Sequence, residues 1–248
     1  MKRKYNRLLC IILSVFLLLS ALPLTVHAEG NKYSVSTSEE LQAAVTAINN
    51  SGAGDYEIQL NADITSTTSG ISFSGEGVVV TIIGNDHYFS CFSGQNVQVW
   101  NGAKVILGDG ETALTLIGGN NDNDNNNPGI FYIVDPKSVG IMNDKVTLKD
   151  NITNNHLGAG VSVQNGTFIM NGGTIENCGV KGGSVCYGGG VAVYAGGSFT
   201  MNNGNYSEQQ KIVYLHKRNF DISNSRHADE RNTNWSYAML SRDTKNAF

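Results

Sequence analysis

Between residues 33 and 206 the apolar side chains arrive mostly in short alternating runs, each broken within a few residues by Gly, Asn or Asp. Residues 56–60, 78–83, 97–99, 104–107, 114–116 and 146–148 have this form, as do Val161-Ser162-Val163 and Phe168-Ile169-Met170. Alternation puts every second side chain on one face of an extended chain, so these runs predict short strands with one buried face. The residues between them accept left-handed backbone angles at little cost, which suits tight turns. One stretch has a different period. Thr37-Ser38-Glu39-Glu40 has the form of a capping box, and Leu41, Ala44, Val45 and Ile48 follow at helical spacing until Asn49-Asn50-Ser51-Gly52 ends the run.

The strands also repeat. GAGVSVQNGTFIMNGGTI at 158–175 aligns with GGGVAVYAGGSFTMNNGNY at 188–206 once a single glycine is inserted, with Val161 and Val163 offset by 30 from Val191 and Val193, and Phe168 and Met170 by 31 from Phe199 and Met201. A period of this size marks a solenoid. Three strands per coil would wind the chain into a prism whose coils rise by ~4.8 Å, the strand spacing. Val161, Val163, Phe168, Met170 and Ile175 are then expected to stack on Val191, Val193, Phe199, Met201 and Tyr206. The expected fold is therefore all-β, a right-handed parallel β-helix over residues 29–206, with a short N-terminal helix capping the open end and edges of its first coil. Roughly six or seven coils would fill that length.

The two ends of the chain read differently. Lys2, Arg3, Lys4 and Arg7 precede an apolar run over 8–22, and Val26-His27-Ala28 offers small residues at a cleavage site, so residues 1–28 are expected to be a secretory signal peptide cut after Ala28. The run is shorter than the ~20 residues a spanning helix needs, and no transmembrane segment is expected after cleavage. Cys10 lies inside the apolar run, which argues against a lipoprotein. All 29 glycines fall between Gly30 and Gly204, and no arginine occurs between Arg7 and Arg218. Residues 207–248, free of glycine and weakly periodic only around Ile212-Val213-Tyr214-Leu215, are expected to be a terminal cap, a disordered tail or a frameshifted or truncated end of a longer repeat protein.

Charge narrows the partners. Residues 29–206 carry 16 acids against 6 lysines, a net of −10, and the tail carries +2. An acidic, arginine-free body is a poor binder of nucleic acid and ill suited to docking on anionic lipid, because phosphate is held by clustered Lys and Arg, so no nucleic-acid partner is expected. Cys91, Cys178 and Cys186 remain after the signal, in an export route that permits a Cys178–Cys186 bridge, although all three also suit small buried positions. No cysteine or histidine spacing fits zinc.

The segments YSVSTSEELQAAV, YEIQLNADIT and VVVTIIGN, together with the two aligned rungs, resemble secreted bacterial proteins of the pectin-lyase-like β-helix superfamily, in particular large repetitive surface proteins of Gram-positive bacteria. The resemblance covers about residues 33–206 and implies the fold more than an activity, since the superfamily holds lyases, hydrolases and adhesins. A pectate-lyase type would imply a catalytic arginine beside acidic calcium ligands, and the body has none. Lys104, Lys137, Lys145, Lys149 and Lys181 follow no motif that nominates a base in its place. The Asn-Thr-Asp, Asp-Asp, Gly-His-Gly and Arg-Ile-Lys motifs of polygalacturonases do not occur either.

Asp86, Asp109, Asp135, Asp144 and Asp150 could pair for inverting hydrolysis only if the fold brought them together, and each also suits a turn. His87 and His156 have no partner at motif spacing. The tract Asn120-Asn121-Asp122-Asn123-Asp124-Asn125-Asn126-Asn127 is rich in oxygen ligands, but lacks the glycine and glutamate of an EF-hand in register. A surface loop between coils is expected there, with calcium at Asp122 and Asp124 left open. Trp100, Tyr132 and Tyr194 would stack on sugar rings if exposed, and would otherwise be packing. No residue is nominated as catalytic, cofactor-binding or metal-binding. The expectation is an exported, non-catalytic protein, secreted or held at the cell surface, with an adhesion, binding or structural role toward polysaccharide, cell-surface or host material, by itself or as a fragment of a longer repeat adhesin; the alternative is a polysaccharide lyase or glycoside hydrolase acting on acidic polysaccharide.

Overall fold

Each short strand has an apolar face that must leave water, and none is long enough to bury it alone. The computed structural model, which describes residues 27–67, 70–91, 95–119, 129–153, 158–180 and 189–206 with the short segments 212–215 and 239–240, shows how the chain meets that demand. It enters through β1 (His27–Glu29), β2 (Lys32–Val35) and α1 (Ser38–Ser51), and then winds. The first turn is β3 (Gly54–Leu60), β4 (Ile64–Ser66) and β5 (Ile71–Ser74); the second is β6 (Val78–Ile83), β7 (His87–Cys91) and β8 (Val97–Trp100). The third is β9 (Lys104–Leu107), β10 (Leu114–Ile117) and β11 (Phe131–Ile133). The fourth is β12 (Val139–Met142), β13 (Val146–Lys149), the two-residue β14 (Ile152–Thr153) and β15 (Val161–Val163). The fifth is β16 (Thr167–Met170), β17 (Thr174–Glu176), β18 (Gly179–Val180) and β19 (Val191–Tyr194). β20 (Ser198–Met201) and β21 (Asn205–Tyr206) begin a further turn, and β22 (Ile212–Leu215) pairs in parallel with β19 before β23 (Met239–Leu240) adds antiparallel to it.

The result is a β-solenoid with three long parallel sheets and a short fourth in which β14 pairs with β18. Sheet A runs β1-β2-β3-β6-β9-β12-β16-β20, sheet B runs β4-β7-β10-β13-β17-β21, and sheet C runs β5-β8-β11-β15-β19-β22-β23. Among the described strands only β1–β2 and β22–β23 pair antiparallel. The rungs pair in the register the repeat predicts: Val161 with Val191, Val163 with Val193, Phe168 with Phe199, Met170 with Met201 and Ile175 with Tyr206.

The number of turns is about five, fewer than the six or seven that chain length suggested. Successive rungs of sheet A are offset by 24, 25, 35, 28 and 31 residues, and the segment before Gly54 is spent on β1, β2 and α1. The variation is unevenly placed. The connections from sheet A to sheet B and from sheet C to sheet A are mostly three residues long, as in 84–86, 143–145, 101–103 and 164–166. Those from B to C are short in the first two turns, 67–70 and 92–96, and much longer in the later ones, 118–130, 150–160 and 177–190.

Alternation fills the interior. Phe73, Phe89, Phe131, Phe168, Ile58, Leu60, Leu107 and Leu114 are fully buried within one continuous core. Phe131 meets Phe168 edge to face at 6.0 Å, and Phe168 stacks on Phe199 at 5.2 Å. Gly140 faces the same column, where a Cβ would come within 2.7 Å of the Phe131 ring, so its lack of a side chain is what admits that ring. The short corners need left-handed residues, and Asn85, Asp86, Asn101, Lys145 and Ala195 all take positive φ there, as do several glycines. On the corner after sheet A, Asn171 donates to Asn143 at 3.0 Å and Asn202 donates to Asn171 at 2.9 Å, a ladder that ties three coils.

α1 starts where the capping box places it. Glu40 N donates to Thr37 Oγ1 at 3.1 Å, and the Glu40 carboxylate reaches back to Ser36 N at 2.7 Å, one residue earlier than the usual partner. Leu41, Ala44, Val45 and Ile48 are buried, against β2 and β5 among other strands. The helix ends at Gly52, at φ 77°. Residues 1–26, the 120–127 tract with Asp122 and Asp124, His156, Lys181, Cys186 and most of 207–248 lie outside the described residues.

Candidate functional site

The solenoid sends the five singled-out aspartates to three different corners. Asp86, Asp109 and Asp144 lie between sheets A and B, Asp135 between C and A, and Asp150 between B and C. The described hydrogen bonds show what four of them do. Asp86 accepts from Ala113 N at 3.0 Å, Asp135 from Asn101 N, and Asp150 from Asn177 Nδ2 at 3.1 Å. Asp109 accepts from the backbone N–H groups of Glu111 and Thr112, both at 2.9 Å. Slight burial pushes its carboxyl up, but those N–H groups and the Thr112 hydroxyl outweigh it and hold Asp109 below its ordinary value. A general acid for glycoside cleavage needs the opposite shift. Among the described residues no three His, Cys, Asp or Glu side chains converge as a metal site.

The lysines are distributed in the same way. Lys137 pairs with Glu76 at 3.0 Å, Lys149 lies 3.9 Å from Asp150, Lys145 donates to the Glu111 carbonyl, and Lys104 faces outward from sheet A. Exposed pairs of this kind contribute little to stability. His87 does have an acid partner, missed from the sequence because it lies on the preceding coil: its Nδ1 is 3.2 Å from Asp63 Oδ1, and the same oxygen accepts from Tyr88 N at 3.2 Å. Cys91 and Cys178 are buried. Burial pushes the Cys178 thiol up to about 12.

Two further residues that sequence reasoning passed over are the buried Asn96 and Asn151. Asn96 Nδ2 donates to the carbonyls of Phe89 and Ile117, each at 3.0 Å, and Asn151 Nδ2 donates to Ala159 O at 2.7 Å. Both fasten the corner between sheets B and C, where the connections are longest.

The three aromatic candidates all fall on the outer face of sheet C. Register aligns Ser72, Gln98, Tyr132, Ser162 and Ala192 across five rungs, with Ser74 beside Trp100 in the neighbouring row; Ser162 and Ala192 are fully buried, so the accessible part of the row ends at Tyr132. Trp100 and Tyr132 are half-buried and meet edge to face, with centroids 6.0 Å apart and planes at 81°. Amides hold them in place: Gln98 bridges Gln95 at 2.8 Å and Trp100 Nε1 at 3.1 Å, and the Tyr132 hydroxyl donates to Gln164 at 2.6 Å. Tyr194 closes the strip, its hydroxyl buried beside Tyr132 without a hydrogen bond of good geometry. Burial first, and Tyr132 second, push its phenol well above the ordinary range. No strand of sheet C carries a charged residue.

This strip presents two aromatic rings fixed by amides on adjacent rungs of the stack. No family model matches the chain, and no curated protein or solved structure matches it either.

Proposed function

We propose that this chain is an exported, non-catalytic β-solenoid, secreted or held at the cell surface, that binds polysaccharide, cell-surface or host material. The observation that carries the reading is the ordered aromatic and amide strip on sheet C, set against carboxylates that are engaged as acceptors in turns. Export rests on the basic and apolar pattern of residues 1–28. Cleavage after Ala28 would remove two of the three residues of β1, leaving β2 as the edge of sheet A. The same reading takes the turns as right-handed, the hand that parallel crossovers adopt almost without exception, and α1 as the lid over the first coil. It keeps the kinship with pectin-lyase-like surface proteins as a proposal resting on the quoted segments. Among the described residues no helix is long and apolar enough to cross a membrane.

The test is direct. Purified protein is incubated with a panel of acidic and neutral polysaccharides, with and without calcium, and assayed for unsaturated and reducing ends. No release is expected. Release from an acidic polysaccharide would establish the alternative, a carbohydrate-active enzyme. Export is tested separately by N-terminal sequencing of protein recovered from the culture medium, where Glu29 is the expected first residue.

A further inference from the structure

We infer that the Trp100–Tyr132 strip on sheet C is a binding platform for an uncharged glycan chain lying along the solenoid axis. This rests on the binding-protein reading above and names the class of its ligand.

Three observations carry it. The first is ring geometry: Trp100 and Tyr132 stand nearly perpendicular on adjacent rungs, so a pyranose stacked on one ring meets the edge of the other. Aromatic faces present large apolar area at low entropic cost, and the C–H faces of a sugar ring are the matching surface. The second is the polar fringe. Gln98, Gln164, Ser72 and Ser74 flank the rings with donors and acceptors suited to hydroxyl groups, and the hydrogen bonds from Trp100 to Gln98 and from Tyr132 to Gln164 fix the rings before any ligand arrives. A preorganised site loses less on binding.

The third is charge. An acidic polysaccharide would need cations, and sheet C offers none in its strands, on a body whose net charge is −10. A uronate or sialic acid chain would pay desolvation on that face with no counter-charge to offset it. A neutral hexose or N-acetylhexosamine chain carries no such penalty. Rung spacing also suits a polymer: neighbouring rungs are ~4.8 Å apart, close to the length of one sugar unit, so the accessible span from β5 to β11 covers roughly two residues of a chain crossing the strands at right angles.

The experiment uses the purified full chain and soluble polysaccharides as probes: a β-1,4-glucan, a β-1,3-glucan, a galactomannan and an α-glucan as neutral members, and polygalacturonate as the acidic one. Affinity electrophoresis gives the ranking. Tryptophan fluorescence in a Trp235→Phe background, where Trp100 is the remaining indole, reports contact. The expected result is retardation by at least one neutral polysaccharide with a shift in Trp100 emission, insensitivity to salt up to physiological ionic strength, and binding weaker by about tenfold or more in Trp100→Ala and Tyr132→Ala. Trp100→Phe should keep part of the affinity, and Lys137→Ala all of it. Circular dichroism of each variant guards against loss of fold.

Preference for polygalacturonate, full binding by folded Trp100→Ala, or no retardation by any neutral member would overturn the inference. Glycan binding through Trp100 accompanied by chain cleavage would instead overturn the non-catalytic reading and leave the platform standing.

Discussion

Gly140 and Phe131 occupy one space: a Cβ built on the glycine would come within 2.7 Å of two carbons of the phenylalanine ring. The ring in turn meets Phe168, which stacks on Phe199. Gly140→Ala should therefore overpack the core and cost about 1–3 kcal/mol in denaturant unfolding. Phe131→Leu removes the ring and costs a comparable amount by leaving a void. The double variant should be more stable than the sum of the two single losses, giving a coupling of about 1 kcal/mol or more; strict additivity would show that the two sites do not share this space.

The helix start gives a second, smaller test. Thr37→Ala removes the acceptor for Glu40 N and should cost about 1 kcal/mol, with Thr37→Ser close to neutral. Equal stability of all three chains would mean that the cap contributes nothing to the folded state.

The asparagine ladder separates middle from end. Asn171 bonds to both Asn143 and Asn202, whereas Asn202 donates only to Asn171 in the ladder. Asn171→Ala should lose about 0.5–1.5 kcal/mol, and Asn202→Ala a smaller fraction of that. The reverse order in thermal unfolding would indicate that the ladder is a consequence of stacking and not a contributor to it.

Cys178 carries a pH signature. Its folded thiol is pushed from an ordinary 9.0 up to about 12, so the fold favours the neutral form. The resulting stability is fully present below pH 9.0 and is lost as pH rises toward about 12. Reduced protein at pH 8 should resist iodoacetamide at Cys178 until denatured, as read by peptide mass. Between pH 9 and 11, Cys178→Ala should lose stability less steeply than the natural chain. Rapid alkylation of folded protein would show that the thiol is more open than its burial implies.

Much of this architecture could be read from alternation alone. The stacking of Val161 on Val191 and Phe168 on Phe199 followed from the 158–206 repeat, because identical rungs in a solenoid have no other register that buries the same face. β6 and β9 matched their predicted runs. What the sequence hid depended on the distance between coils. His87 meets Asp63 across 24 residues, Trp100 meets Tyr132 across 32, and Tyr132 meets Gln164 across 32. With offsets from 24 to 35 in sheet A, no single period brings these residues together on paper. The expected number of turns was too high for a different reason: the residues before Gly54 go into β1, β2 and α1 and not into a coil. The aspartates were the converse case: their suitability for turns, visible in residue type, matches the N–H groups found on Asp86, Asp109 and Asp135.

The unequal corners have a consequence for how such a chain changes over generations. Two edges of the prism hold to three residues in most turns and so dictate which side chains stack, while the edge between sheets B and C absorbs nearly all differences in length. Away from the buried Asn96 and Asn151 that fasten this edge, its loops can be lengthened, trimmed or exchanged one at a time while the rungs behind them stay in place. Novelty and stability are thus inherited through largely separate stretches of one sequence, which meet at Asn96 and Asn151.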